Sequence, residues 1–83
     1  AEPVSAELDL RGMETLEAIP VMERYIDSAV MGKLETVTII HGKGTGALRQ
    51  AVQQNLKSCR AVKSFRLGRY GEGETGVTVV ELK

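Results

Sequence analysis

Val37-Thr38-Ile39-Ile40-His41-Gly42-Lys43-Gly44-Thr45-Gly46-Ala47-Leu48-Arg49 is the stretch whose reading decides the fold. Four β-branched residues run into the only histidine of the chain. Three alternating glycines and a lysine follow, and then Leu48, Val52 and Leu56 recur at i, i+4, i+8 with Ala51 beside them. That is a strand, a glycine turn and a helix. At such a turn backbone N–H groups and the positive end of the helix dipole point outward together, which suits a bound anion such as a phosphate. The spacing G-x-G-x-G of Gly42, Gly44 and Gly46 is neither the dinucleotide fingerprint nor the Walker loop. Glycine needed only for positive φ in a tight turn is the plainer reading.

Outward from this unit, Glu7-Leu8-Asp9-Leu10 alternates as a short strand and ends at Arg11-Gly12. Thr15 is placed to cap a helix. Its apolar stripe is Leu16, Ile19, Met22, Ile26 and Ala29 or Val30, and Gly32 ends it. Pro20 breaks the pattern: either the helix kinks there or its regular part starts there. Thr36–Ile40 shows little alternation and reads as a central strand buried on both faces. Thr45 is placed to cap the second helix, which fades near Ser58-Cys59. Val62–Leu67 carries Lys63 and Arg66 and reads as an edge strand. A mobile loop with glycines 68, 71, 73 and 76 leads to Val77–Leu82, the clearest strand and the one expected at the centre.

The expected architecture is a two-layer α+β sandwich of order β-α-β-α-β-β. A mixed four-stranded sheet carries both helices on one face. Strands one and two are parallel through a right-handed crossover, and the last two form an antiparallel pair. Residues 1–6 are a loose lead-in and residues 7–83 one domain. Eighty-three residues allow one modest core. No apolar run approaches the roughly 20 residues that span a bilayer, so no membrane partner is expected. The single Cys59 points to a reducing, cytoplasmic setting. The start at Ala1 without methionine points to a piece of something longer.

Zero net charge conceals an asymmetry. Residues 1–40 hold eight acids and three bases, whereas residues 41–71 hold seven bases (Lys43, Arg49, Lys57, Arg60, Lys63, Arg66, Arg69) and no acid. One positive face with an anionic partner, nucleic acid first, is the expectation. Only Tyr70 is placed to stack on a base; Tyr25 reads as core and Phe65 as core or edge. Contacts to phosphate and to duplex or junction shape therefore fit better than single-strand stacking.

If the first two strands are neighbours, Asp9, Arg11, His41 and Lys43 converge beyond their carboxyl ends. Histidine moves protons near neutral pH. Arginine and lysine stabilise extra charge on a phosphorane-like transition state, and a carboxylate orients the imidazole or holds a divalent metal. The plainer reading is a histidine that caps its strand with local hydrogen bonds. One histidine and one cysteine exclude the usual zinc sites. Asp9 is the residue for a magnesium or manganese ion, an under-supplied site to which Glu72 and Glu74 would add from the loop, though a solvated turn suits those two better.

Leu8-Asp9-Leu10-Arg11-Gly12, the His41–Gly46 motif with Leu48-Arg49, and Gly73 with Gly76-Val77-Thr78-Val79-Val80 resemble the small MutS-related domain, Smr. The three motifs stand in the right order and cover nearly the whole chain from Glu7. The Asp-Leu-Arg form and the ending Val-Val-Glu-Leu-Lys look most like the branch at the C-terminus of the second bacterial MutS paralogue. The resemblance implies a fold like the C-terminal domain of bacterial translation initiation factor three. It implies nucleic-acid binding and, in several members, nicking endonuclease activity on DNA, branched recombination intermediates included. It also implies the rest of a longer MutS-like chain with an ATPase, linked to suppression of homologous recombination. Relatives are linked to stalled-ribosome rescue and messenger-RNA cleavage, so ribosomal RNA, messenger RNA or the ribosome are alternative partners.

By position Asp9, Arg11, His41, Lys43 and Gly44 correspond to the family's functional motifs. From the charge distribution and the glycine turn, Gly42, Thr45, Gly46, Arg49, Arg60, Lys63, Arg66, Arg69 and Tyr70 are the expected nucleic-acid contacts. Many Smr domains carry histidine where Arg11 stands, so this chain offers one proton-transfer group instead of two.

Overall fold

The computed structural model describes residues 4–44, 46–71 and 73–83. Its elements are β1 (Glu7–Asp9), α1 (Thr15–Met31), β2 (Thr36–Ile40), α2 (Ala47–Lys57), β3 (Val62–Leu67), a 3-10 turn (Glu74–Gly76) and β4 (Val77–Leu82). The sheet order is β1-β2-β4-β3. β1 pairs parallel with β2, and β4 pairs antiparallel with both β2 and β3. The expected α+β sandwich is therefore the observed one, with β4 inside the sheet and β3 at an edge.

Register explains the two faces. Leu8 lies opposite Ile39, Val37 opposite Val80, and Phe65 opposite Val80. These side chains join Ala18, Met22, Ile26 and Ala29 of α1 and Val52 and Leu56 of α2 in one core. Both helices thus cover the same face. The other face carries Asp9, Ile40, Val77, Val79 and Arg66 and has no helix over it.

Several local expectations need correction. Thr36–Ile40 alternates after all: Val37 and Ile39 are buried under the helices, while Thr38 and Ile40 are half-buried on the open face. Only β4 is buried at four successive residues. Glu14, not Thr15, is the N-cap of α1, and its carbonyl accepts the N–H groups of Glu17 and Ala18 at 3.0 and 2.8 Å. Pro20 lies inside an α1 that begins five residues earlier. Its missing N–H would have bonded the carbonyl of Leu16, in the exposed first turn of the helix. Leu16 is 89% exposed and does not belong to the stripe. Ala18 takes the inward place, and two residues is about 200° around a helix. The stripe ends on Ala29, with Val30 and Met31 exposed.

Residues 4–6 of the lead-in are tied down. Val4 packs on the core, the Tyr25 hydroxyl donates to the Ser5 carbonyl, and Ala6 O accepts the Thr38 N–H at 2.8 Å. The capping role read for Thr45 falls outside the described residues; Gly46, with φ +87°, is the N-cap of α2. The described part of the 68–76 loop is hydrogen-bonded. Gly68 N–H reaches the carbonyls of Glu74 and Val77, and Gly76 N–H that of Gly73. Gly76 O in turn accepts the N–H groups of His41 and Gly42 at 3.1 and 2.9 Å. This last pair fixes the glycine turn against the loop.

Candidate phosphate-binding site

Parallel pairing of β1 and β2 brings their carboxyl ends together, and the turns after them meet. Gly42 has φ +82°, and a Cβ there would lie 3.4 Å from Arg11 Cγ, so the arginine stem runs along the glycine. On the other side a Cβ at Gly76 would lie 3.3 Å from Lys43 Cγ. Arg11, Gly42 and Lys43 thus border a cleft of about 350 Å³ on the open face, floored by Ile40 and Val77 and closed by Gly73 and Gly76.

Each cation holds a carboxylate. Arg11 donates from Nε and Nη2 to Asp9 Oδ1 and Oδ2 at 3.0 and 2.7 Å, and its backbone N–H reaches Oδ1 at 2.9 Å. The Arg11 side-chain bonds, helped by the backbone bond, lower the Asp9 carboxyl to about 2. Asp9 therefore stays anionic at neutral pH and neither gives nor takes a proton there. Lys43 Nζ donates to Glu74 Oε2 at 3.1 Å.

His41 is not in this cleft. It is 5% exposed and turned toward the helices. Its Nδ1 lies 3.0 Å from Gly42 O, and its Nε2 lies 2.8 Å from the hydroxyl of fully buried Thr78. A carbonyl only accepts, so Nδ1 carries the proton, and Nε2 accepts from the Thr78 hydroxyl. Gln53 of α2 donates to the same hydroxyl at 3.3 Å. Burial lowers the imidazole pKa; the Gly42 carbonyl opposes this, and the positive charge of Arg49 adds to it. His41 is thus held neutral in one tautomer, with both nitrogens engaged.

Of the four residues expected to converge, Arg11 and Lys43 share the cleft, Asp9 stands behind Arg11, and His41 lies behind the turn. The single positive face divides. Arg66 shares the open face, paired in register with Val79. Arg49 folds over the turn, its Nη2 3.2 Å from where a Cβ of Gly46 would be. Gly44 is exposed with open space about it. Lys63 lies at the opposite end of the sheet, lining a second cleft with Lys33, Glu35, Glu81 and Lys83. Arg60 is exposed in the turn before β3, and Arg69 and the 94% exposed Tyr70 lie in the loop before β4. Thr78 and Gln53 were not foreseen as partners of His41, and Glu74, read as a solvated turn residue, pairs with Lys43. The only signal was a hydroxyl inside the apolar run Val77-Thr78-Val79-Val80.

The donor set does not fit magnesium or manganese. Both Asp9 oxygens receive Arg11 hydrogen bonds, and among the described residues no three His, Cys, Asp or Glu side chains gather. Glu72 lies outside the described residues. Among the described residues no helix is long and apolar enough to cross a membrane.

A mixed four-stranded sheet with two helices on one face, and two cations on the turns beyond its parallel strands, defines a small α+β domain with its polar chemistry at the strand ends. Residues 8–83 match the model of the Smr domain, and the chain belongs to that family. It is 65% identical over 80 residues to a protein of Geobacillus thermodenitrificans named Endonuclease MutS2, covering 96% of this chain and 10% of that protein. The chain thus spans about a tenth of the length of the curated relatives it matches. The crystal structure of the Smr domain of Thermus thermophilus MutS2 superposes with a TM-score of 0.91 at 44% identity, over 93% of this chain and 96% of that one. The stand-alone small MutS-related protein YdaL of Escherichia coli superposes with a TM-score of 0.89 at 26% identity, over 94% and 64%.

Proposed function

We propose that this domain binds the phosphate backbone of nucleic acid in the Arg11–Lys43 cleft and serves phosphodiester cleavage within a longer MutS-like chain in the cytoplasm. The observation that carries the reading is the pair of cations on one cleft built by the glycine turn. The relatives named Endonuclease MutS2 supply the reaction class. Branched DNA of the kind met in recombination is the substrate class, and its removal would suppress homologous recombination. Gly42, Gly44 and Gly46 leave room for the backbone, with Arg49, Arg66, Arg69 and Tyr70 flanking it; Arg60 and Lys63 reach only a longer ligand, and the contact read for Thr45 falls outside the described residues.

In hydrolysis a water oxygen bonds to phosphorus, one ester P–O bond breaks, the water gives up a proton and the leaving oxygen gains one. Asp9 aligns Arg11, and Arg11 and Lys43 neutralise the charge that builds on the phosphoryl oxygens. The proton given up and the proton gained are exchanged with solvent. His41 lies behind the turn with both nitrogens engaged, and its part is to hold the Gly42 turn that borders the cleft.

A second reading has one specific observation in its favour. With His41 buried and both its nitrogens engaged, the same cleft suits a domain that only binds nucleic acid or the ribosome. The separating experiment incubates the purified domain with branched DNA and with single-stranded RNA, each with and without EDTA, beside His41→Ala and Arg11→Gln. DNA cleavage lost in both variants supports the first reading. Cleavage unchanged in His41→Ala removes that residue from the chemistry. Salt-sensitive binding without cleavage gives the second reading. Metal-independent cleavage of RNA alone makes the 2′-hydroxyl the nucleophile.

A further inference from the structure

We propose that Glu74 is a built-in competitor for the phosphate ligand of Lys43, so that its carboxylate weakens phosphate binding at that lysine. The proposal rests on the reading above, in which Lys43 meets phosphate.

Three observations converge on Glu74. Its carboxylate meets Lys43 at 3.1 Å. Its backbone sits at φ +52°, one of two non-glycine residues with positive φ among those described. That conformation is unfavourable for an L-residue, so the surrounding structure imposes it. The imposing groups are visible. Gly68 N–H donates to Glu74 O at 3.0 Å, and a Cβ on Gly68 would lie 2.5 Å from Val77 Cγ2 and 2.9 Å from Glu74 O. A Cβ on Gly73 would lie 2.8 Å from Val77 Cγ1. The glycines let the loop close on Val77, and that closure delivers Glu74 to Lys43.

The consequence is electrostatic. A carboxylate fixed beside a phosphate-binding ammonium must leave or be repelled when phosphate arrives. The pair is half in solvent, with side-chain exposures of 61% and 48%. Exposed pairs of this kind change an equilibrium by about two- to five-fold. Every phosphate that takes Lys43 bears that factor, and a strand that also meets Arg11 offsets it with a second contact.

The test is fluorescence anisotropy with a 20-base-pair DNA duplex and a 20-nucleotide RNA, across a salt series. The proteins are the parent, Glu74→Gln, Lys43→Gln and the double variant, each checked for folding by circular dichroism. Glu74→Gln should bind about two- to five-fold more tightly than the parent. The gain should vanish in the Lys43→Gln background. An equal gain in both backgrounds assigns the effect to net charge and overturns the proposal, as does no gain or a loss. If Lys43→Gln weakens binding while Glu74→Gln is silent, the Glu74 proposal fails and the Lys43 reading stands. If Lys43→Gln binds like the parent, or no protein binds either probe, both fail.

Discussion

Thr78→Val isolates the hydroxyl that holds His41. The swap keeps the shape of a fully buried side chain and removes one oxygen. Two groups lose a partner. Gln53 is half-buried and turns to water, so its share is small. His41 Nε2 lies in a residue only 5% exposed and is left as a buried unpaired acceptor. That costs about 1–3 kcal/mol. For a domain of this size each kcal/mol lowers Tm by roughly 4–8 °C. Thr78→Ser keeps the hydroxyl and gives up a methyl, about 1 kcal/mol. The His41→Leu, Thr78→Val double variant removes both partners, so its loss should fall short of the summed single losses by about 1 kcal/mol or more. Urea unfolding supplies the energies. Imidazole ¹⁵N spectra supply the tautomer, which should be Nδ1–H in the parent. Single losses that add within about 0.5 kcal/mol, or a parent imidazole protonated on Nε2, would refute the bonding scheme.

Acid should weaken the fold through His41. Its folded pKa lies below the ordinary 6.5 because of burial. Between those two values the unfolded chain binds the extra proton, so stability falls as pH drops through 6.5 and levels off below the folded pKa. Urea unfolding of the parent and of His41→Leu between pH 7.5 and 5 should show this slope in the parent alone; equal slopes would count against it. In α1, Met22→Ala should cost about 2–5 kcal/mol, since Met22 is fully buried. Leu16→Ala should stay within about 0.5 kcal/mol, because its side chain stands in water; comparable losses would put Leu16 back in the core.

The strand–turn–helix at residues 37–49 was legible because β-branched composition, glycine spacing and helical periodicity agree there. The same consistency placed Val77–Leu82 at the centre of the sheet and Val62–Leu67 at its edge. The direction of His41 was hidden by the doublet Ile39-Ile40. Two adjacent isoleucines mask the phase of the strand, yet period two from buried Val37 and Ile39 carries His41 to the helix side. Leu16 misled because hydrophobicity does not show where a helix's first turn overhangs the core. Thr78 and Glu74 acquire meaning only through partners 37 and 31 residues away, and no local pattern encodes contacts of that range. The basic segment 41–71 was real as composition, but a chain that turns through a helix and an edge strand spreads its charges over several surfaces.

The most direct test of phosphate binding by the Arg11–Lys43 cleft is the salt dependence of duplex binding. Each phosphate contact contributes about 0.9 to the slope of log K against log salt concentration. In the Arg11→Gln, Lys43→Gln double variant the slope should be shallower than the parent's by about 1.8, with weaker binding at every salt concentration. A slope and affinity equal to the parent's would place the phosphate backbone elsewhere on the domain.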